Sequence, residues 1–191
     1  LSHGDAIETD LVMYAIGRKP RVQGLGLGSA GVQTDRIGAI EVDDRYRTTT
    51  DHIYAVGDVT NRVNLTPVAL AEGTLVAQHL YGSAPTPVDY EFIPTAVFSQ
   101  PTLATVGYTE AEARAKFPEI AVYESAFRPM RQTLTERTER AYMKLIVDTA
   151  TDRVVGVHML GPEAAEILQG FAVAVRAGAT KALFDSTLGI H

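Results

Sequence analysis

The chain has 191 residues, 46% hydrophobic and 21% charged, with a net charge of −6. That is enough apolar mass for one large or two small globular domains, and an acidic chain without a Lys/Arg run argues against a nucleic-acid surface. No apolar run reaches membrane-spanning length, and the lack of any cysteine excludes disulfide staples and thiolate metal sites; no metal site is expected.

In chain order, a turn at Gly4-Asp5 precedes an apolar run, Asp10 to Ile16, that reads as a strand leading into the loop Gly17-Arg18-Lys19-Pro20. Gly26 to Gly31 satisfies G-x-G-x-x-G literally. A dinucleotide fingerprint needs a strand directly before it and a helix opening within it. Here Pro20 and a loop precede, and residues 32–42 read as short extended segments around a turn, so the motif is rejected as a phosphate loop. Ile53 to Val56 reads as a short buried strand that gives out in Gly57-Asp58. Thr66-Pro67 then opens a helix to about Tyr81, with Thr66 as N-cap, Pro67 in the first helical position, and Val68, Ala71, Leu75 and Leu80 on one stripe. A helix start with free N–H groups eight residues after a carboxylate could grip one polar ligand from two sides. Ala84-Pro85-Thr86-Pro87 is the best domain boundary in the chain.

Beyond the linker, Ile93–Phe98 and Leu103–Val106 read as strands, and Thr109-Glu110-Ala111-Glu112 as the capping box of a helix ending near Phe117-Pro118. Ile120–Phe127 is a further strand. Tyr142–Val147 and Val154–Met159 flank Asp148–Arg153 as a hairpin. A long helix from Pro162 to about Ala177 places Ile167, Phe171 and Val175 on one face and Gly178 as its cap, and a last helix starts near Thr180. The fold class is therefore α/β followed by α+β, the second part built on a mostly antiparallel sheet.

The Ile53–Asp58 and Leu65-Thr66-Pro67 stretches resemble the flavin-binding segment of the glutathione reductase-like class I pyridine nucleotide-disulfide oxidoreductases. Gly17-Arg18-Lys19-Pro20, Ile93–Ser99, Thr105–Glu110, Phe127-Arg128-Pro129-Met130 and Gln169–Val175 extend the resemblance over nearly the whole chain. It implies three parts: the end of an NAD(P)H-binding domain (residues 1–34), the end of an FAD-binding domain (35–88), and a C-terminally truncated interface domain that makes a homodimer (89–191). It also implies a cytoplasmic enzyme that passes electrons from NADPH through FAD and an enzyme disulfide to a small disulfide substrate, glutathione disulfide first among them. The redox cysteine pair would lie upstream, making this chain a fragment that is inactive alone.

By the same resemblance, Asp58 with Gly57 holds a ribitol hydroxyl of FAD, and Leu65 and Thr66 point at the flavin pyrimidine. Gly17, Arg18, Asn64 and Val97 lie along NADPH, Val97 through its backbone, its side chain reading as a plain core valine. His191 is the catalytic acid/base that reaches the partner subunit's site, a task that suits an imidazole. Met130 is a substrate contact. Thr74 stands where many glutathione reductases carry an arginine for glutathione, and a hydroxyl cannot replace a guanidinium on a carboxylate. Trypanothione, dihydrolipoamide or mercuric reductase-like chemistry, or a non-catalytic dimerisation module, are the alternatives. His79 and His158 read as structural, His3 and His52 as loop residues.

Overall fold

The computed structural model describes residues 4, 6–82 and 87–190, so Asp5, His3, His191 and most of the 84–87 linker lie outside the described residues. The chain divides into two compact units, Leu1–Asp89 and Tyr90–His191.

The first unit has little regular structure. A short 3₁₀ turn spans Gly57–Thr60, and helix α1 spans Thr66–Tyr81. Val32, Ile40 and Ala55 form its core, with Val22, Leu27, Val42, Ile53 and Val59 packed around them. Two sequence expectations fail here. Asp10–Ile16 is not a strand: Leu11, Met13 and Ile16 are 83%, 85% and 93% exposed. A strand in a buried sheet needs hydrogen-bonded neighbours, and no described residue pairs with this run. Ile53–Val56 is extended but contributes only a single bridge, Tyr54 to Arg47. Residues 32–42 behave as expected, with a Thr34–Ile40 bridge around the turn that Asp35 closes by accepting from the Ile37 and Ala39 N–H groups.

The rejected glycine motif is a set of tight turns. The N–H groups of Ala30, Gly31 and Val32 donate to the carbonyls of Gly26, Gly28 and Leu27, so they face no ligand.

The second unit is a five-stranded antiparallel sheet in the order β1-β2-β5-β4-β3. Its strands are β1 (Thr95–Val97), β2 (Leu103–Gly107), β3 (Ile120–Phe127), β4 (Ala141–Asp148) and β5 (Arg153–Leu160). Helices α2 (Glu110–Lys116), α3 (Ala164–Arg176) and α4 (Lys181–Ser186) complete it. Thr109 and Glu112 form the expected reciprocal capping box of α2. β4 and β5 are joined by the expected tight turn, in which Asp148 accepts from the Ala150 N–H and the Thr151 hydroxyl.

One core joins Ala104, Val106, Val147, Val154, Val157 and Met159 of the sheet to α3. The α3 stripe is Ala164, Leu168, Ala172 and Val175. Ile167 and Phe171, expected on one face with Val175, lie at the flank of that stripe, 36% and 37% exposed. Small alanines let the helix sit close to the sheet, which pushes the larger side chains to its edge. A second cluster joins Ile146 and Val155 to Ala113 of α2, with Tyr108, Phe117 and Ile120 around it. Lys144 ties α2 to the sheet by pairing with Glu110 at 2.5 Å and Glu124 at 3.3 Å.

Candidate functional site

The chain enters the Gly57-Asp58 turn from extended Val56, and Gly57 takes φ = 72°, a conformation that suits a residue without Cβ. Both backbone groups of Gly57 are tied. Its N–H donates to Glu72 Oε2 at 2.6 Å, and its carbonyl accepts from Thr60 Oγ1 at 2.8 Å. Asn61, left-handed at φ = 50°, closes the turn by donating its N–H to the Asp58 carbonyl. The Asp58 carboxylate is thereby presented to solvent, its side chain 51% exposed.

Arg18 Nη1 donates to Asp58 Oδ2 at 3.4 Å. With the Arg18 side chain 77% exposed, such a pair contributes at most about 1 kcal/mol. A cleft of about 290 Å³ is lined by Arg18, Lys19, Arg21, Asp58 and Asn64, so three of the residues singled out from sequence share one wall. Gly17 precedes them at φ = 123°, and Asn64 Nδ2 donates to Asn61 Oδ1 at 3.1 Å.

Helix α1 starts one residue earlier than expected. Leu65 is the extended N-cap and Thr66 the first helical residue, and no side chain caps the helix. Its first N–H groups therefore lack both an intrahelical partner and a side-chain acceptor. An exposed carboxylate on a turn bonded to the same helix suits a ligand that carries both hydroxyls and electron-rich carbonyls. Arg18, Lys19 and Arg21 suit phosphate oxygens.

Glu72 is the residue holding the Gly57-Asp58 turn that sequence reasoning missed. It is 1% exposed, and the buried stripe of α1 is Val68, Glu72 and Leu75; Ala71 and Leu80, expected on it, are exposed. The i, i+4, i+7 spacing was a usable signal, but a glutamate reads as solvent-facing by type.

The other singled-out residues are separate. Thr74 is exposed on α1 and donates its hydroxyl to the Leu70 carbonyl at 2.8 Å. In the second unit, Val97 lies on β1 with 59% of its surface exposed, so its side chain is not core. β1 is a three-residue strand at the edge of the sheet, and only its middle residue, Ala96, packs against the core. Met130, 79% exposed, opens a short 3₁₀ turn, Met130–Gln132, whose end is held by Arg128 Nη2 on the Gln132 and Thr135 carbonyls. His158 is half-buried on β5, with Nε2 3.1 Å from the Tyr108 carbonyl. Burial pushes its imidazole pKa down, opposed by that hydrogen bond. Neither ring nitrogen of His79, on α1, has a hydrogen-bond partner among the described residues. Among the described residues no cluster could hold a metal ion, and no helix is long and apolar enough to cross a membrane.

Comparison with known proteins accounts for both units. The pyridine nucleotide-disulphide oxidoreductase dimerisation domain matches residues 93–191, and the pyridine nucleotide-disulphide oxidoreductase family matches residues 1–73. The chain therefore belongs to the pyridine nucleotide-disulphide oxidoreductases. It is 54% identical over 191 residues to the glutathione reductase of Burkholderia cepacia, covering all of this chain and 42% of that protein. It is 52% identical over 180 residues to the chloroplastic/mitochondrial glutathione reductase of Pisum sativum, covering 94% of this chain and 33% of that protein. Among solved structures, the HOCl-induced flavoprotein disulfide reductase RclA from Escherichia coli matches with a TM-score of 0.84 at 30% identity, covering 93% of this chain and 41% of that one. The chain thus spans less than half the length of these relatives.

Proposed function

We propose that this chain is the C-terminal part of an FAD-dependent, NADPH-using disulfide reductase whose substrate is glutathione disulfide. The observation that carries this reading is the exposed Asp58 carboxylate, held on a fixed turn in the same unit as the uncapped N-terminus of α1. In this reading Asp58, beside Gly57, accepts from a ribitol hydroxyl of FAD, while the helix start at Leu65 and Thr66 faces the flavin pyrimidine, the Leu65 N–H itself being taken by the Val63 carbonyl. When bound, FAD supplies the capacity to accept hydride from NADPH and pass electrons to a disulfide.

Gly17, Arg18 and Asn64 serve NADPH, Arg18 with its neighbours Lys19 and Arg21 meeting phosphate charge, and the Val97 backbone meets the nicotinamide end. His191 exchanges the proton of the thiol leaving group, Met130 touches the substrate, and Thr74 marks the substrate end of α1. Homodimerisation through residues 89–191 and a cytoplasmic setting complete the reading, supported by the matched dimerisation domain and the bacterial glutathione reductase relative. With no cysteine, this chain alone has no dithiol to reduce a substrate.

The test is flavin retention in the longer protein that contains this chain. Asp58→Ala is expected to purify with much less FAD than wild type, and an equally loaded variant would refute the role of Asp58. NADPH-dependent disulfide reduction by the 191-residue chain alone would refute its status as a part. The second reading is a dimerisation module without catalysis, favoured by a hydrophobic core whose residues all lie within the second unit. A colourless dimer of this chain on sizing would support it.

A further inference from the structure

We infer that Glu72 is a positioning residue for Asp58, a buried clasp that fixes where the carboxylate stands relative to the N-terminus of α1. The inference rests on the flavin reading of the Asp58 site and assigns a role to a residue that no part of that reading uses.

A carboxylate on the inner stripe of α1 is costly unless hydrogen-bonded. Methionine or leucine would fill the same space between Val68 and Leu75 at no desolvation cost. What a carboxylate adds is a charge-assisted bond, here the 2.6 Å contact from the Gly57 N–H. That N–H belongs to the peptide joining Val56 to Gly57, immediately ahead of Asp58. At φ = 72° Gly57 is free of the steric limits that orient other residues, so the plane of this peptide must be set from outside. Glu72 sets it through the Gly57 N–H, and the Thr60 hydroxyl, on the Gly57 carbonyl, sets the next peptide, the one that leads into Asp58.

Glu72 also belongs to the rigid body whose first turn holds Leu65 and Thr66. It lies about two turns, roughly 9 Å, along the axis from that helix start. A single side chain therefore couples the two halves of the site, the acceptor on the turn and the donors at the helix end. Without it the turn could swing while the helix stayed in place, and a ligand would meet one half at a time.

The experiment measures the FAD dissociation constant of the longer protein that contains this chain, as wild type, Glu72→Gln, Glu72→Met, Asp58→Asn and the Asp58→Asn/Glu72→Met double variant. Gln keeps an oxygen for the Gly57 N–H and should stay within about threefold of wild type, whereas Met should weaken FAD about tenfold or more. In the Asp58→Asn background Met should add less than about twofold, because Glu72 acts through Asp58. An equal factor in both backgrounds would overturn the inference and leave Glu72 a structural residue. Amide exchange of Gly57 in the 191-residue chain reads the clasp without flavin: slow in wild type and Gln, fast in Met. A wild-type protein that holds no FAD would instead refute the flavin reading, and a fast Gly57 amide in wild type would refute the clasp.

Discussion

Gly57→Ala tests the turn from its steric side. The φ of 72° costs an L-residue about 1–2 kcal/mol. A Cβ at Gly57 would also sit 2.9 Å from the Ala69 Cβ, which is fixed to the α1 backbone and cannot rotate away. Ordinary carbon contacts begin near 3.5 Å, so turn and helix must part by about half an ångström. Overpacking of that kind costs about 1–3 kcal/mol. Together the substitution should disfavour the observed turn by about 2–5 kcal/mol, or about 30-fold to several thousandfold in any equilibrium that requires it, at about 1.4 kcal/mol per factor of ten.

The assay is the FAD dissociation constant of the longer protein, with urea denaturation of the 191-residue chain alongside. Ala69→Gly supplies the control. It removes the clashing Cβ at a helix cost of about 1 kcal/mol, so the double variant should recover the overpacking part of the loss and retain the φ cost together with that helix cost. Wild-type FAD affinity in Gly57→Ala, or strictly additive losses in the double variant, would refute the reasoning.

Three other outcomes are expected. Leu168→Ala empties a fully buried site between α3 and the sheet and should cost about 2–5 kcal/mol in urea denaturation. His158 has its folded pKa below the ordinary value chiefly through burial, so the unfolded chain binds the proton first. Stability should therefore fall as pH drops below about 6.5 and level off once the folded pKa is passed. His158→Gln should flatten that part of the stability-versus-pH curve, and an unchanged slope would show that other groups set it. Thr74→Arg in the longer protein should lower the KM for glutathione disulfide. The position is exposed and its hydroxyl serves only the Leu70 carbonyl, so an effect on folding should be small.

What was legible in the sequence was whatever its neighbours in sequence specify. The Thr109–Glu112 box closes within four residues, and the β4–β5 hairpin pairs strands across a short turn, so pattern alone placed both. Asp10–Ile16 has the composition of a strand, but a strand exists only with hydrogen-bonded neighbours, which its own residues cannot supply. The cap of α1 shifted to Leu65 because Thr66 and Pro67 are both taken into the first turn. On α3, the large Ile167 and Phe171 outranked the alanines by hydrophobicity, yet close approach to the sheet selects the alanines. Asp58, Arg18 and Asn64 could be named individually, and their shared cleft depends on a fold that returns Asp58 to Arg18 across forty positions. Glu72 required knowing that a backbone N–H waits on the inner side of its helix.

The Leu11–Ile16 segment also bears on how this chain behaves in a test tube. It combines β-branched, aromatic and aliphatic residues with no charge and no proline from Leu11 through Ile16, and it lies open to solvent with no described residue bonded along it as a strand. Such a ribbon is a template for edge-to-edge stacking between chains. Turbidity in solutions of the 191-residue chain should therefore rise with concentration, and lysines at Val12 and Tyr14 should suppress it while leaving the two hydrophobic cores untouched.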